Sequence, residues 1–147
     1  MYSYKEVSVY FDNNQKLMGV PSGKSSKYDI AELDFLFPLE PGYSDDELEE
    51  FIRRIFNACY SKNCKDDGKT AIEQYTDSKS YVSAVKGLKL INIYWTKDGG
   101  YTFMPTRTSK KHKGAFEHME QEKIVVPNSY ETGRISLAFK QAMKIAL

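Results

Sequence analysis

Residues 88–104 read LKLINIYWTKDGGYTFM. Leu88, Leu90 and Tyr94 alternate with Lys89 and Asn92, which is the period-two pattern of a strand. Lys97-Asp98-Gly99-Gly100 is a tight-turn signal, and Tyr101–Met104 returns as a partner strand. An antiparallel hairpin therefore sits past the middle of the chain. The rest of the fold is read outward from it.

Toward the N-terminus, Ser78–Lys86 has helical spacing, with Tyr81, Val82 and Val85 inward and Gly87 as the stop. Residues 61–68 are a polar connection. Before them lies the clearest helix. Ser44 and Glu47 have the spacing of a capping box, and Asp45 and Asp46 suit the positive end of the helix dipole. Leu48, Phe51, Ile52, Ile55, Phe56 and Cys59 then form one apolar stripe that ends near Tyr60. Phe35-Leu36-Phe37 stands before Pro38 and reads as a short extended segment. Residues 21–28 read as a loop. Val7, Val9 and Phe11 share one face of a strand over residues 5–11, and Asp12-Asn13-Asn14 follow as a turn.

Toward the C-terminus, Lys123–Val126 is a short strand closed by Pro127. A final helix is capped by Asn128 or Ser129. It carries Ile135, Phe139, Ala142, Met143 and Ala146 on one face, with Lys140 and Lys144 toward its negative end. The sum is one α+β domain over residues 1–147, with a central, mainly antiparallel sheet packed with helices.

Composition narrows the functional classes. The chain has 147 residues, 28% charged, with a formal charge of +1. Such a balance exerts no overall pull on nucleic acid or membrane. No apolar run approaches the roughly 18 residues of a membrane span, and no leader pattern opens the chain. Two cysteines do not make a disulfide scaffold, so a cytoplasmic protein with reduced thiols is expected. Aromatics reach 14%, with 11 Tyr, and tyrosine serves binding surfaces as well as cores.

Catalytic signals are sparse. Cys59 falls on an apolar helix stripe as a small hydrophobe, and Cys59-x4-Cys64 is a poor zinc half-site. Gly19-Val-Pro-Ser-Gly-Lys-Ser lacks the four-residue spacing of a phosphate loop. His112 and His118, with Lys111, are the only acid–base set, and a small ribonuclease is the enzymatic alternative. No metal site, cofactor or catalytic residue is expected.

Charge distribution is more informative. Asp29, Glu32, Asp34, Glu40, Asp45, Asp46, Glu47, Glu49 and Glu50 follow one another with no Lys or Arg between residues 29 and 50. A locally negative surface steers basic partners. Asp34, Glu40, Asp45, Asp46, Glu49 and Glu50, with Tyr43 as an aromatic anchor, are the candidate partner-binding residues. A second candidate surface holds Tyr94, Arg107, Lys110, Lys111, His112 and Phe116. Its basic loop 107–113 supports an alternative reading as a nucleic-acid-binding module. The two oppositely charged patches also fit a homodimer meeting head to tail.

Ordered features of the second half resemble the immunity proteins of contact-dependent growth inhibition systems. They are Tyr75-Thr-Asp-Ser-Lys-Ser-Tyr-Val82 opening a helix, the strand pair around Gly100–Arg107, and Lys113-Gly-Ala-Phe-Glu117. Val125-Val126-Pro127 and an amphipathic last helix complete the series. Residues 69–147 carry the resemblance. The family's Leu-Gly near the start of the last helix is Thr132-Gly133 here. The resemblance implies a cytoplasmic, cofactor-free antidote rather than an enzyme. It would bind the C-terminal toxin domain of a large surface protein, often a nuclease acting on tRNA, and would touch neither membrane nor nucleic acid itself.

Overall fold

A computed structural model describes residues 2–147. Strand β1 (Tyr4–Phe11) pairs antiparallel with β2 (Leu17–Ser25) on one side and with β5 (Lys89–Thr96) on the other. Strand β6 (Gly100–Thr108) continues from β5 through the expected hairpin, with Ile93 opposite Phe103. With β3 (Asp29–Glu32) and β7 (Phe116–His118) at the ends, the order is β3-β2-β1-β5-β6-β7. Two short strands, β4 (Phe37–Leu39) and β8 (Ile124–Val126), pair with β2 and β6 respectively. All pairings are antiparallel, and the protein is α+β.

Helices cover both faces. On one face lie α1 (Asp45–Asn57) and α4 (Arg134–Ile145), sealing a core of Val7, Val9, Ile91, Ile93, Phe103 and Phe139. Gly19 of β2 lies directly beneath α1, where any Cβ would overlap the Ile55 side chain. On the other face lie α2 (Ala71–Tyr75) and the single turn α3 (Tyr81–Ala84). They bury Tyr10, Met18, Val20, Ile72, Val85 and Leu90. The central strands thus carry apolar side chains on both faces. This is why Ile91 and Ile93 interrupt the simple alternation expected over residues 88–95.

Several expectations are corrected. The loop expected at 21–28 is in its first half the end of β2: Pro21 lies opposite Val7, and Ser22–Ser25 lie opposite β3. These residues are weak strand formers, but pairing with β1 and then β3, and bonds from Tyr60 and Cys64 N–H to the Ser22 and Lys24 carbonyls, hold them extended. The Pro21 carbonyl accepts a 2.9 Å hydrogen bond from Leu33 N–H. The helix expected over 78–86 shrinks to α3, capped by Ser80, and Val82 points outward at 45% exposure. Helix α2 escaped the pattern reading. Its capping box, Thr70 with Glu73, was nonetheless present in the sequence.

The N-cap of the last helix is Gly133, in the left-handed region (φ 93°), rather than the expected Asn128 or Ser129. Asn128 has a different task. Its amide donates to the Lys97 carbonyl at 2.7 Å and its oxygen accepts from Trp95 Nε1 at 2.8 Å. It fastens the end of β5 and the β5–β6 turn to the segment just after β8.

Candidate functional site

Helix α1 presents its carboxylates in two rows. The capping box at Ser44 and Glu47 forms as read from the sequence and holds the Glu47 carboxyl below the usual range. Asp45 and Glu49, four residues apart, both face α4. Glu49 accepts a 3.0 Å hydrogen bond from Ser136 N–H, and Asp45 accepts one from Ser136 Oγ at 2.9 Å. Lys140 pairs with Asp45. Gly133 brings no side-chain cap to α4, so α1 supplies the acceptor for an orphan N–H of its neighbour. Replacing Glu49 with Ala should cost roughly 1–3 kcal/mol, since the buried Ser136 N–H loses its partner. Glu49→Gln keeps an acceptor and should cost less. Equal chemical-denaturation midpoints for the two variants would contradict this role.

Asp46 and Glu50 form the second row, exposed along the outer side of α1. With Arg53, which pairs with Glu50, they line one wall of an open groove. Asn128, Tyr130 and Thr132 form the other wall, and the groove encloses about 700 Å³. The Tyr130 ring, 38% exposed, stands edge-on to Tyr101 at 5.9 Å. This ring was not among the expected site residues, because no regular periodicity marks the loop that carries it.

Asp34 and Glu40 are engaged by the fold. Lys62 lies against Asp34, with Lys65 at 3.6 Å, and the Lys62 contact holds the Asp34 carboxyl below its ordinary range. Glu40 pairs with Lys16 at 3.1 Å. Tyr43 is half-buried, with its hydroxyl donating to Met143 Sδ at 3.9 Å. The run that holds no cation in sequence therefore meets Lys16, Lys62, Lys65, Arg53 and Lys140 in space. Asp46 and Glu50 are left as the outward pair on the groove.

Glu32 belongs to the other face. It accepts from Tyr10 Oη at 2.8 Å, and that hydroxyl is 2.7 Å from Tyr81 Oη. Burial pushes the Glu32 carboxyl above the usual glutamate range, only partly offset by the Tyr10 bond. A folded pKa above the unfolded value stabilises the protein below the ordinary glutamate range. That stabilisation is lost as pH rises through the raised value. Glu32→Gln should therefore gain stability relative to wild type over the pH window that opens above the ordinary glutamate value of about 4. A stability difference that stays flat across this window would refute it.

The second candidate surface is divided by the fold. Arg107 pairs with Glu117 at 3.4 Å across β6 and β7. Lys110, Lys111 and His112 lie exposed on the loop between those strands. Phe116 is partly buried beneath Tyr10, with ring centroids 6.2 Å apart. Tyr94 sits away from the loop, its hydroxyl 3.1 Å from His118 Nε2. That nitrogen is also 3.2 Å from Asn92 Oδ1. His112 instead belongs to the loop, its backbone N–H donating to Ser109 Oγ at 3.2 Å. No hydrogen bond or ion pair among the described residues joins the two histidines. Cys59 is buried on the α1 side, as expected for a small hydrophobe, and burial pushes its thiol up. No helix among the described residues is long and apolar enough to cross a membrane.

No family model matches the chain, and no curated protein matches it in sequence. Solved structures do share its fold. A protein of unknown function from Neisseria meningitidis superimposes with a TM-score of 0.72 at 11% identity, over 98% of this chain and 96% of that one. A chain of the CdiA-CT/CdiI toxin and immunity complex from Yersinia pseudotuberculosis superimposes with a TM-score of 0.71 at 12% identity, over 99% of both chains. The fold that the resemblance in the second half implied is the one the chain adopts, and it extends over the first half too.

Proposed function

We propose that this chain is an immunity protein that binds and neutralises the C-terminal toxin domain of a cognate contact-dependent inhibition protein. One observation carries the reading: its fold matches, end to end, a chain from a CdiA-CT/CdiI toxin and immunity complex. Binding by surface complementarity needs no cofactor and no bond chemistry in the antidote, in keeping with a charge pattern that is more informative than any catalytic set. The target in this reading is a nuclease acting on tRNA or another RNA, and the work is done in the cytoplasm.

The groove along α1 is the proposed contact. An RNA-cutting toxin must hold phosphates, so its cleft carries Lys and Arg. Asp46 and Glu50 offer carboxylates to such a cleft, and Tyr130 offers an amphipathic ring beside them. Asp45 and Glu49 act in this scheme from behind, by fixing α1 against α4, while Asp34 and Glu40 are neutralised off the helix by Lys62, Lys65 and Lys16. Tyr43, just ahead of α1, helps by contacting α4 at Met143.

The direct test pairs this protein with the C-terminal domain of the large secreted protein encoded beside its gene. Co-expression should restore growth of cells making that domain, and the purified pair should form a complex. Growth arrest that persists despite soluble co-expressed antidote would overturn the reading. So would turnover of RNA by the isolated chain.

A further inference from the structure

On the face of the sheet opposite α1, a second groove separates α3 from the loop joining β6 to β7. Val82, Val85, Ala115 and Phe116 make its apolar floor, serine and threonine hydroxyls line it beside them, and Lys86 and Lys113 are the charged residues of the lining. Lys79, Lys110 and Lys111 are exposed on the same two segments. None of these five lysines has a carboxylate oxygen within 4.0 Å among the described residues. Among the described residues, no acidic one lines the groove. Here the charge of one sign survives folding.

The loop is a built wall. Ser109 Oγ accepts from the backbone N–H groups of Lys111 and His112, each at 3.2 Å. Ser109 N–H donates to the Ala115 carbonyl at 2.9 Å, and Ala115 N–H to that of His112 at 3.1 Å. Gly114 presses against α3. A Cβ there would stand 2.8 Å from Val82 Cγ2, and its φ of +78° also disfavours any side chain. With the wall already ordered, a bound partner would lose little freedom of the protein itself.

An occupant must match both features: negative charge at the rim and aliphatic bulk on the floor. Single-stranded nucleic acid seeks flat aromatic platforms. The one aromatic ring of the floor, Phe116, is committed to an edge-to-face contact with Tyr10. We propose that this groove docks an acidic amphipathic polypeptide segment, with carboxylates at Lys86 and Lys113 and aliphatic side chains on Val82 and Val85. It is a binding surface separate from the α1 groove and stands or falls independently of it.

Fluorescence polarisation on the intact protein tests this with three labelled probes. They are a short peptide of glutamates and leucines, a same-length all-glutamate peptide, and an oligouridine RNA. The mixed peptide should bind most tightly. Lys86→Glu with Lys113→Glu, and separately Val82→Asp, should each weaken it about ten-fold or more. Val82 is 45% exposed, so its replacement should leave the protein folded, which a cooperative thermal unfolding transition checks. Asp46→Lys with Glu50→Lys should not weaken the peptide. The proposal is overturned if the RNA binds more tightly than the mixed peptide, or the all-glutamate peptide equally well. It is also overturned if Val82→Asp leaves the affinity unchanged, or if no peptide binds.

Discussion

Asp46→Lys combined with Glu50→Lys is expected to weaken binding of the cognate toxin domain by about 10- to 100-fold, mainly by slowing association. Both carboxylates are exposed on the outer row of α1 and neither holds another element in place. Glu50 pairs only with Arg53, one turn away on its own helix. Reversing the pair changes the field at the groove by four charges and leaves the contacts of α4 intact. Exposed charges act over about 10 Å at moderate salt, so the wild-type association rate should fall steeply with added salt. The variant's rate should fall less, or rise. Losing the first-turn charge of Asp46 and the Glu50–Arg53 pair should cost no more than about 2 kcal/mol in all, so the variant should still unfold cooperatively, separating a binding effect from loss of the fold. Surface plasmon resonance at two salt concentrations measures all but the last. An unchanged rate and salt slope would remove the α1 groove from the interface while leaving the antidote reading open to another surface.

The largest stability effect is expected at Phe139. Its ring is fully buried between α4 and the sheet, in the cluster that includes Phe103, Ile93 and Leu48. Phe139→Ala removes that bulk where two helices and a sheet meet, and the surrounding side chains can only partly close the gap. A loss of about 3–5 kcal/mol follows from such truncations, a large share of what holds a domain of this size together. Leu137 lies two residues away on the same helix but is 49% exposed. Leu137→Ala should stay within about 0.5 kcal/mol of wild type. Urea unfolding gives both values from the shift in midpoint. Comparable losses at the two positions would mean that α4 is not docked as described.

Glu49 and Asp46 show why sequence alone misassigns a site. They are three residues apart, equally charged, and belong to the same uninterrupted acidic run. Glu49 holds the first turn of α4, whereas Asp46 faces outward over the groove. Helical spacing groups Asp45 with Glu49 and Asp46 with Glu50, but it does not say which row meets another helix. That depends on where α4 lands, and α4 follows α1 by more than seventy residues.

The features legible from sequence are those decided by neighbours in the chain. The Ser44–Glu47 box, the apolar stripe of α1, the β5–β6 turn at Lys97–Gly100 and the antiparallel α+β class all rest on contacts a few residues apart or on side-chain periodicity. The tertiary structure decided the rest. It made a strand of Pro21-Ser-Gly-Lys-Ser25 by pairing it with β1 and β3, and it capped α4 with a carboxylate from α1. It also brought Lys16, Lys62, Lys65 and Lys140 to an acidic run that has no cation of its own, while leaving the lysines beside α3 uncompensated. Propensity and capping are local, whereas Coulomb forces and burial act through space, so where charge survives on the surface is settled only when the chain has closed on itself.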